Sequence, residues 1–210
     1  MIRVLLPVVL VFQISSIFAN TCERIQGNHY RCSVERERLP EIEPVRVTGA
    51  PDLQRSFHAI AAIEMILGYQ HLKLSQEEIF TRLLHQTTED RFIRPEEFSR
   101  LNQWKPEFIV GSPEIVFRSG YKDLEKYLFS LSHKIPLLLG LNSSSHPKVC
   151  LLLEIQFQIS FDKNGNRTGI IPEKVFLYDF ESDKEKEIEM RWNEFRERVA
   201  LGYFLSVKGL

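Results

Sequence analysis

The run from Phe57 to Tyr69 constrains the fold of this 210-residue chain more than any other segment. Wound as a helix, it is apolar nearly all the way round, and its apolar residues are Ala59, Ile60, Ala61, Ala62, Ile63, Met65, Ile66 and Leu67. A helix of this kind is stable only when most of its sides are covered. With 43% hydrophobic residues the chain can bury one sizeable core, so the run predicts a buried helix at the centre of a domain.

The start of the chain has the pattern of a secretory signal peptide. A basic residue precedes a short apolar stretch, and the small residue Ala19 is suitable for cleavage. The stretch is shorter than the roughly 20 apolar residues that cross a bilayer. We therefore expect residues 1–19 to be a signal peptide, residues 20–50 an extended segment and residues 51–210 one domain, in a secreted or periplasmic protein. The alternative for the first residues is a membrane anchor or a buried strand.

The three cysteines divide into a pair and a single residue. Cys22 and Cys32 flank a short polar loop, and in an exported chain we expect them to form a disulfide worth roughly 2 to 3 kcal/mol. Two free thiols are the alternative. Cys150 lies inside the apolar run Val149–Leu153, which is typical of a buried strand, and a buried thiol is a poor nucleophile.

Apolar spacing and turn residues predict helices in the first half of the chain and strands in the second. Ser75 and Glu78 form a capping-box pattern that starts a second helix. The other predicted elements are helices at Pro95–Asn102, Lys122–Ser130 and Glu187–Val199, strands at Leu137–Leu141, Val149–Ile159, Val175–Asp179 and Tyr203–Val207, and a hairpin turn at Asp162–Asn166. This segregation of helices from an antiparallel sheet predicts the α+β class.

Two segments carry a resemblance to a known family. Phe57–Tyr69 and Leu74–Ile79 resemble the helix and following segment of bacterial papain-like cysteine peptidases, in the branch related to bacteriocin-processing peptidases. Pro95–Phe98 and Leu101–Trp104 resemble the helix that comes next in that family. The resemblance implies a papain-like α+β fold, in which a helical half with a buried central helix packs on an antiparallel sheet.

The resemblance also assigns a catalytic site, whose residues depart from the family pattern. His58 occupies the position of the nucleophilic cysteine, where an imidazole is not an efficient acyl-transfer nucleophile. The family histidine corresponds to His146 or, with a two-residue gap, to Lys148. Asp179 corresponds to the residue that orients the histidine, and Gln54 lies near the oxyanion-hole position. The resemblance therefore implies a degenerate catalytic site.

Two functions from different classes follow from this pattern. The first is a secreted pseudopeptidase without a cofactor, which holds a peptide or protein partner in its cleft and does not cleave it. The alternative is an active peptidase or hydrolase that uses a displaced nucleophile or a metal held by His58 and His146. His58 could also be a helix-capping side chain that fills a former cleft. Scattered charges, with 27 basic and 28 acidic residues, disfavour nucleic-acid binding, and no membrane contact is expected after processing.

Overall fold

The structure is a computed structural model. The residues that it describes are 21–34, 39–48, 50–84, 114–120, 123–133, 135–142, 148–182 and 186–208. Three predictions lie outside the described residues: the signal peptide (1–19), the helix at Pro95–Asn102 and the candidate base His146.

The described residues form eight strands and four helices. The strands are β1 (Thr21–Gln26), β2 (His29–Val34), β3 (Glu114–Gly120), β4 (Leu137–Leu141), β5 (Lys148–Phe161), β6 (Arg167–Asp179), β7 (Glu187–Arg191) and β8 (Val199–Lys208). The helices are α1 (Pro51–Tyr69), α2 (Gln76–Leu84), α3 (Leu124–Ser132) and α4 (Trp192–Arg198).

Strand β5 organises a single antiparallel sheet of order β1-β2-β5-β4-β8-β3. β4 pairs with the first part of β5 and β2 with its second part, while β6 pairs along nearly its whole length. β7 then pairs with β6. The hairpin turn predicted at Asp162–Asn166 is confirmed, and Gly165 within it has a φ of 83°, a conformation that favours glycine.

Side chains along β5 alternate between two apolar cores on the two faces of the sheet. Leu151 and Leu153 pack in the core that contains α1, whose residues Ala59–Ile63 are buried. Cys150 and Leu152 pack in the opposite core, with residues of α3 and α4. The sheet is therefore covered by helices on both faces.

The fold class expected from the sequence, an α+β papain-like fold with a helical half, is wrong. An eight-stranded antiparallel sheet dominates the described chain, and α1 lies on one face of it instead of at the centre of a helical half. The sequence pattern underestimates the strands. It gives no sign of β3, starts β6 at Val175 instead of Arg167, and takes residues 187–191 for helix although they form β7.

Local predictions are more accurate than the fold class. The helix predicted over Phe57–Tyr69 forms the larger part of α1. The capping box of α2 is present, because Ser75 Oγ accepts from the backbone N–H of Glu78 at 3.2 Å while the Glu78 carboxylate accepts from Ser75 N–H at 2.8 Å. The expected disulfide joins Cys22 and Cys32, which lie opposite each other on β1 and β2. No described helix has both the length and the apolar character needed to cross a membrane.

Candidate functional site

Two side chains in the first turns of α1 begin the candidate site. Gln54 and His58 are four residues apart and so share one face of the helix, with their Nε2 atoms 3.3 Å apart. The His58 side chain is 14% exposed, and its buried Nδ1 atom has no hydrogen-bond acceptor among the described residues. Glu181 Oε1 lies 3.9 Å from Nδ1, which is too far for a hydrogen bond but within ion-pair distance of a protonated imidazole.

The ends of β5 and β6 supply the charged half of the site. Asp179 lies opposite Cys150 in the strand register, which brings its carboxylate to Lys148 at the start of β5. Lys148 Nζ donates to Asp179 Oδ2 at 3.2 Å and lies 3.7 Å from Glu181 Oε2. Burial opposes the ammonium charge, but the hydrogen bond and the two carboxylates outweigh it, so the pKa of Lys148 is raised. Lys148 therefore keeps its proton and cannot act as a general base near neutral pH.

We name these five residues the His58 cluster: Gln54, His58, Lys148, Asp179 and Glu181. It contains three of the four site residues that the sequence predicts, and it contains Lys148, the alternative to His146. Glu181 is the member that sequence reasoning missed, because the charged stretch that it begins is typical of a solvated loop. Its side chain is 14% exposed, and only the register of β5 and β6 brings it to Lys148.

The described residues place no reactive thiol near this cluster. Cys22 and Cys32 are joined in the disulfide, which leaves Cys150 as the one free cysteine among the three in the chain. Cys150 is 0% exposed, and burial raises its pKa to about 12. Within the same residues no three His, Cys, Asp or Glu side chains are grouped to hold a metal ion.

A strap of extended chain, residues 43–47, crosses the start of α1 and the start of α2. Val47 N–H donates to Gln54 Oε1 at 2.7 Å, and Gln54 Nε2 donates to Val45 O at 3.1 Å. Gln76, the first residue of α2, repeats the pattern, because Val45 N–H donates to its Oε1 at 2.9 Å and its Nε2 donates to Glu43 O at 2.8 Å. Two side-chain amides therefore satisfy four backbone groups of the strap.

We call this arrangement a glutamine clamp: one side-chain amide bound to the backbone O of one residue and the N–H of the residue two positions later. A third clamp is formed by Gln70, which binds Leu205 O at 2.9 Å and Val207 N–H at 2.8 Å in β8. The side-chain amide carries a donor and an acceptor as a peptide group does, so it can occupy the place of a neighbouring strand. A clamp binds extended backbone whatever side chains that backbone carries.

No family model matches this chain, and no curated protein matches it. Its function is therefore inferred from the chemistry of its own residues.

A second concave surface lies on the sheet beside the disulfide. It is a cavity of about 490 Å³ whose lining includes Glu23, Arg31 and Glu154. Arg31 forms ion pairs with Glu23 at 3.6 Å and with Glu173 at 3.0 Å. Exposed ion pairs of this kind contribute little binding energy, so this surface carries no functional assignment.

Proposed function

We propose that this protein is an exported, non-catalytic binding protein for extended peptide segments, and that the strap occupies the site where such a segment binds. The observation that carries the proposal is the pair of clamps at Gln54 and Gln76, which hold the strap by its backbone as a sheet edge holds an added strand. The ligand is therefore an extended stretch of a partner protein or a peptide.

The strap has few ties to the described parts of the chain. Residues 43–47 form no backbone–backbone hydrogen bond there, and their polar contacts are four bonds to the two glutamines and an ion pair between Glu43 and Lys186, while Pro44 and Val47 are half-buried. A hydrogen bond between neutral groups contributes about 1 kcal/mol net. Val45 is 46% exposed. A competing peptide that offers the same backbone groups can therefore replace the strap at modest cost.

The proposal of a non-catalytic role rests on the state of each reactive group in the described residues. The free thiol of Cys150 is buried and protonated, and the ammonium of Lys148 is paired with two carboxylates. His58, at the position that the resemblance assigns to the nucleophile, carries an imidazole. The disulfide supports export, because disulfides persist in oxidising compartments.

A turnover assay tests the non-catalytic part. Purified protein is incubated with unfolded casein and with a fluorogenic peptide library, with added zinc or with a chelator, beside the His58→Ala variant. We expect no cleavage above the buffer rate in any arm. Cleavage that disappears in His58→Ala would show that the enzyme alternative is correct.

A binding assay tests the peptide site. The probe is a fluorescent peptide with the sequence of residues 39–48, and the proteins are Val47→Pro, which removes the N–H that Gln54 accepts, and Val47→Ala, which keeps it. The peptide should bind Val47→Pro about tenfold more tightly, because the strap of that variant competes less well. Adding Gln54→Leu or Gln76→Leu should abolish binding, whereas adding Gln70→Leu should not.

The matched control peptide carries N-methyl groups at the positions of Val45 and Val47, so that it lacks both donors. Equal binding of the two peptides, or equal binding to the two variants, would contradict recognition through the backbone. The protection of the β5 backbone amides from hydrogen exchange reports whether each variant keeps its fold, because β5 pairs with β4 and β6 through residues that no variant changes.

A further inference from the structure

We infer that protonation of His58 opens the Gln54 clamp and loosens the strap, so that acid conditions expose the peptide site. The inference rests on the proposed function for the purpose of the opening, and the opening itself is measurable without any peptide. It follows from the hydrogen-bond roles of three groups: the strap backbone, the Gln54 amide and the imidazole of His58.

Backbone chemistry fixes which way the Gln54 amide points. Val47 N–H can only donate, so the atom that it meets at 2.7 Å has to be the oxygen of the Gln54 side chain. Val45 O can only accept, so the atom at 3.1 Å has to be the amide nitrogen. Rotating the amide by half a turn would break both bonds.

This orientation fixes the state of His58. The amide nitrogen of Gln54 points a donor at His58 Nε2, 3.3 Å away, so Nε2 has to be the acceptor and its proton is absent. The imidazole is therefore neutral with its proton on Nδ1, the atom that faces Glu181 at 3.9 Å. The closed strap and the neutral imidazole belong to the same state.

Adding a proton to Nε2 places two donors opposite each other. The contact between Gln54 and His58 is then lost, and the Gln54 amide can meet the new N–H only by turning its oxygen away from Val47. The cationic imidazole gains a partner at the same time, because Glu181 Oε1 already lies at ion-pair distance from Nδ1. The proton thus favours a state in which Gln54 no longer holds the strap.

Glu181 is the charged group at ion-pair distance from His58, and other charged or titratable groups lie on the neighbouring elements. Glu181 and Asp179 come from the end of β6 and the turn that follows, and Lys148 and Cys150 come from β5. Arg46 lies on the strap between the two residues that bind Gln54, and Arg55 lies next to Gln54 on α1. Because other charged groups lie close to the cluster, the experiment isolates His58 by substitution.

Hydrogen exchange of the Val47 amide tests the inference, because this N–H is bound to Gln54 Oε1. Protection factors are compared at pH 7.5 and pH 5, which bracket the range where histidines ordinarily titrate. In the unaltered protein, protection at Val47 should fall roughly three- to tenfold at pH 5, the loss expected for one hydrogen bond. Protection at Val207 should not change, because the bonds of the Gln70 amide are to backbone groups and not to an imidazole.

The variants separate His58 from other titrating groups. His58→Gln stays neutral and can still accept from Gln54, so it should abolish the fall at Val47. His133→Gln, a substitution of an exposed histidine just after α3, should keep it. An equal fall in His58→Gln, or no fall in the unaltered protein, would overturn the inference. If protection at Val47 falls but no peptide binds at either pH, His58 controls the Gln54 clamp and the proposed function is wrong.

Discussion

Three glutamine side chains in this protein form hydrogen bonds with extended backbone that a neighbouring strand would usually form. Gln54, Gln70 and Gln76 each lie at a helix end or just beyond it and bind backbone groups two residues apart. Their amides have the same donor and acceptor set as a peptide group, so they end a sheet edge or hold an extended segment without adding a strand. The sequence does not predict these contacts, because each depends on one glutamine and not on a periodic pattern of residues.

The surroundings of a single residue also determine how the thiol of Cys150 titrates. Its pKa is raised to about 12 by burial, so the folded protein keeps the thiol proton where the unfolded chain releases it. The stabilising effect is complete below the unfolded-state pKa of about 8.5 and is lost as the pH rises above that value. One pH unit above it, at pH 9.5, the loss should be about 1.4 kcal/mol.

Urea unfolding at pH 7.5 and pH 9.5 measures this effect. The unaltered protein should lose about 1.4 kcal/mol more stability between the two pH values than Cys150→Ala, which has no thiol to titrate at that site. Cys150→Ala should be the less stable protein at pH 7.5, because truncation leaves a cavity in a well-packed core. The same pH dependence in both proteins would show that the thiol is accessible in the folded state.

At the scale of elements, the segment from Glu187 to Val199 shows how a helical and a strand pattern compete in one stretch of sequence. Met190, Trp192, Phe195 and Val199 have helical spacing, which predicts one helix from Glu187 to Val199. The chain instead forms β7 and then the short helix α4. The alternation of Ile188 and Met190 with charged residues was the strand signal in β7, and pairing with β6 satisfies it.

The contribution of the predicted capping box at the start of α2 to stability can be measured by substitution. Ser75→Ala removes the acceptor for the Glu78 N–H and should lower the unfolding free energy by about 1 kcal/mol. Thr81→Ala, a substitution at an exposed position inside the same helix, should change it by less than about 0.5 kcal/mol. Chemical denaturation measures both. Equal effects would mean that the cap does not stabilise α2 in the folded protein.

At the scale of the whole molecule, the sequence predicts local structure better than architecture. The burial of α1 and of the middle of β5 could be predicted, because both contain long apolar runs that are unfavourable in contact with water. The β1–β2 hairpin gives a weak signal, because most side chains of β1 are exposed. Without that hairpin, β3, β7 and the first part of β6, the sheet looks half as wide as it is, and an α+β fold with a helical half becomes the natural prediction.

The candidate site shows the same division. The resemblance pointed to Gln54, His58 and Asp179, and the structure brings these residues into one cluster through Glu181 and Lys148. The strap and Gln76 could not be predicted, because their contact depends on a non-periodic segment that lies far from α2 in sequence. The proposed function therefore depends on how an extended segment is held against the helices.

The side-chain amide signals of Gln54, Gln70 and Gln76 test the central claim most directly. In a two-dimensional proton–nitrogen NMR spectrum of Val47→Pro, adding the peptide of residues 39–48 should shift the Nε2 signals of Gln54 and Gln76 and leave that of Gln70 in place. Saturating peptide that shifts none of the three signals, or shifts Gln70 as much as the others, would contradict a site that binds extended backbone through these two glutamines.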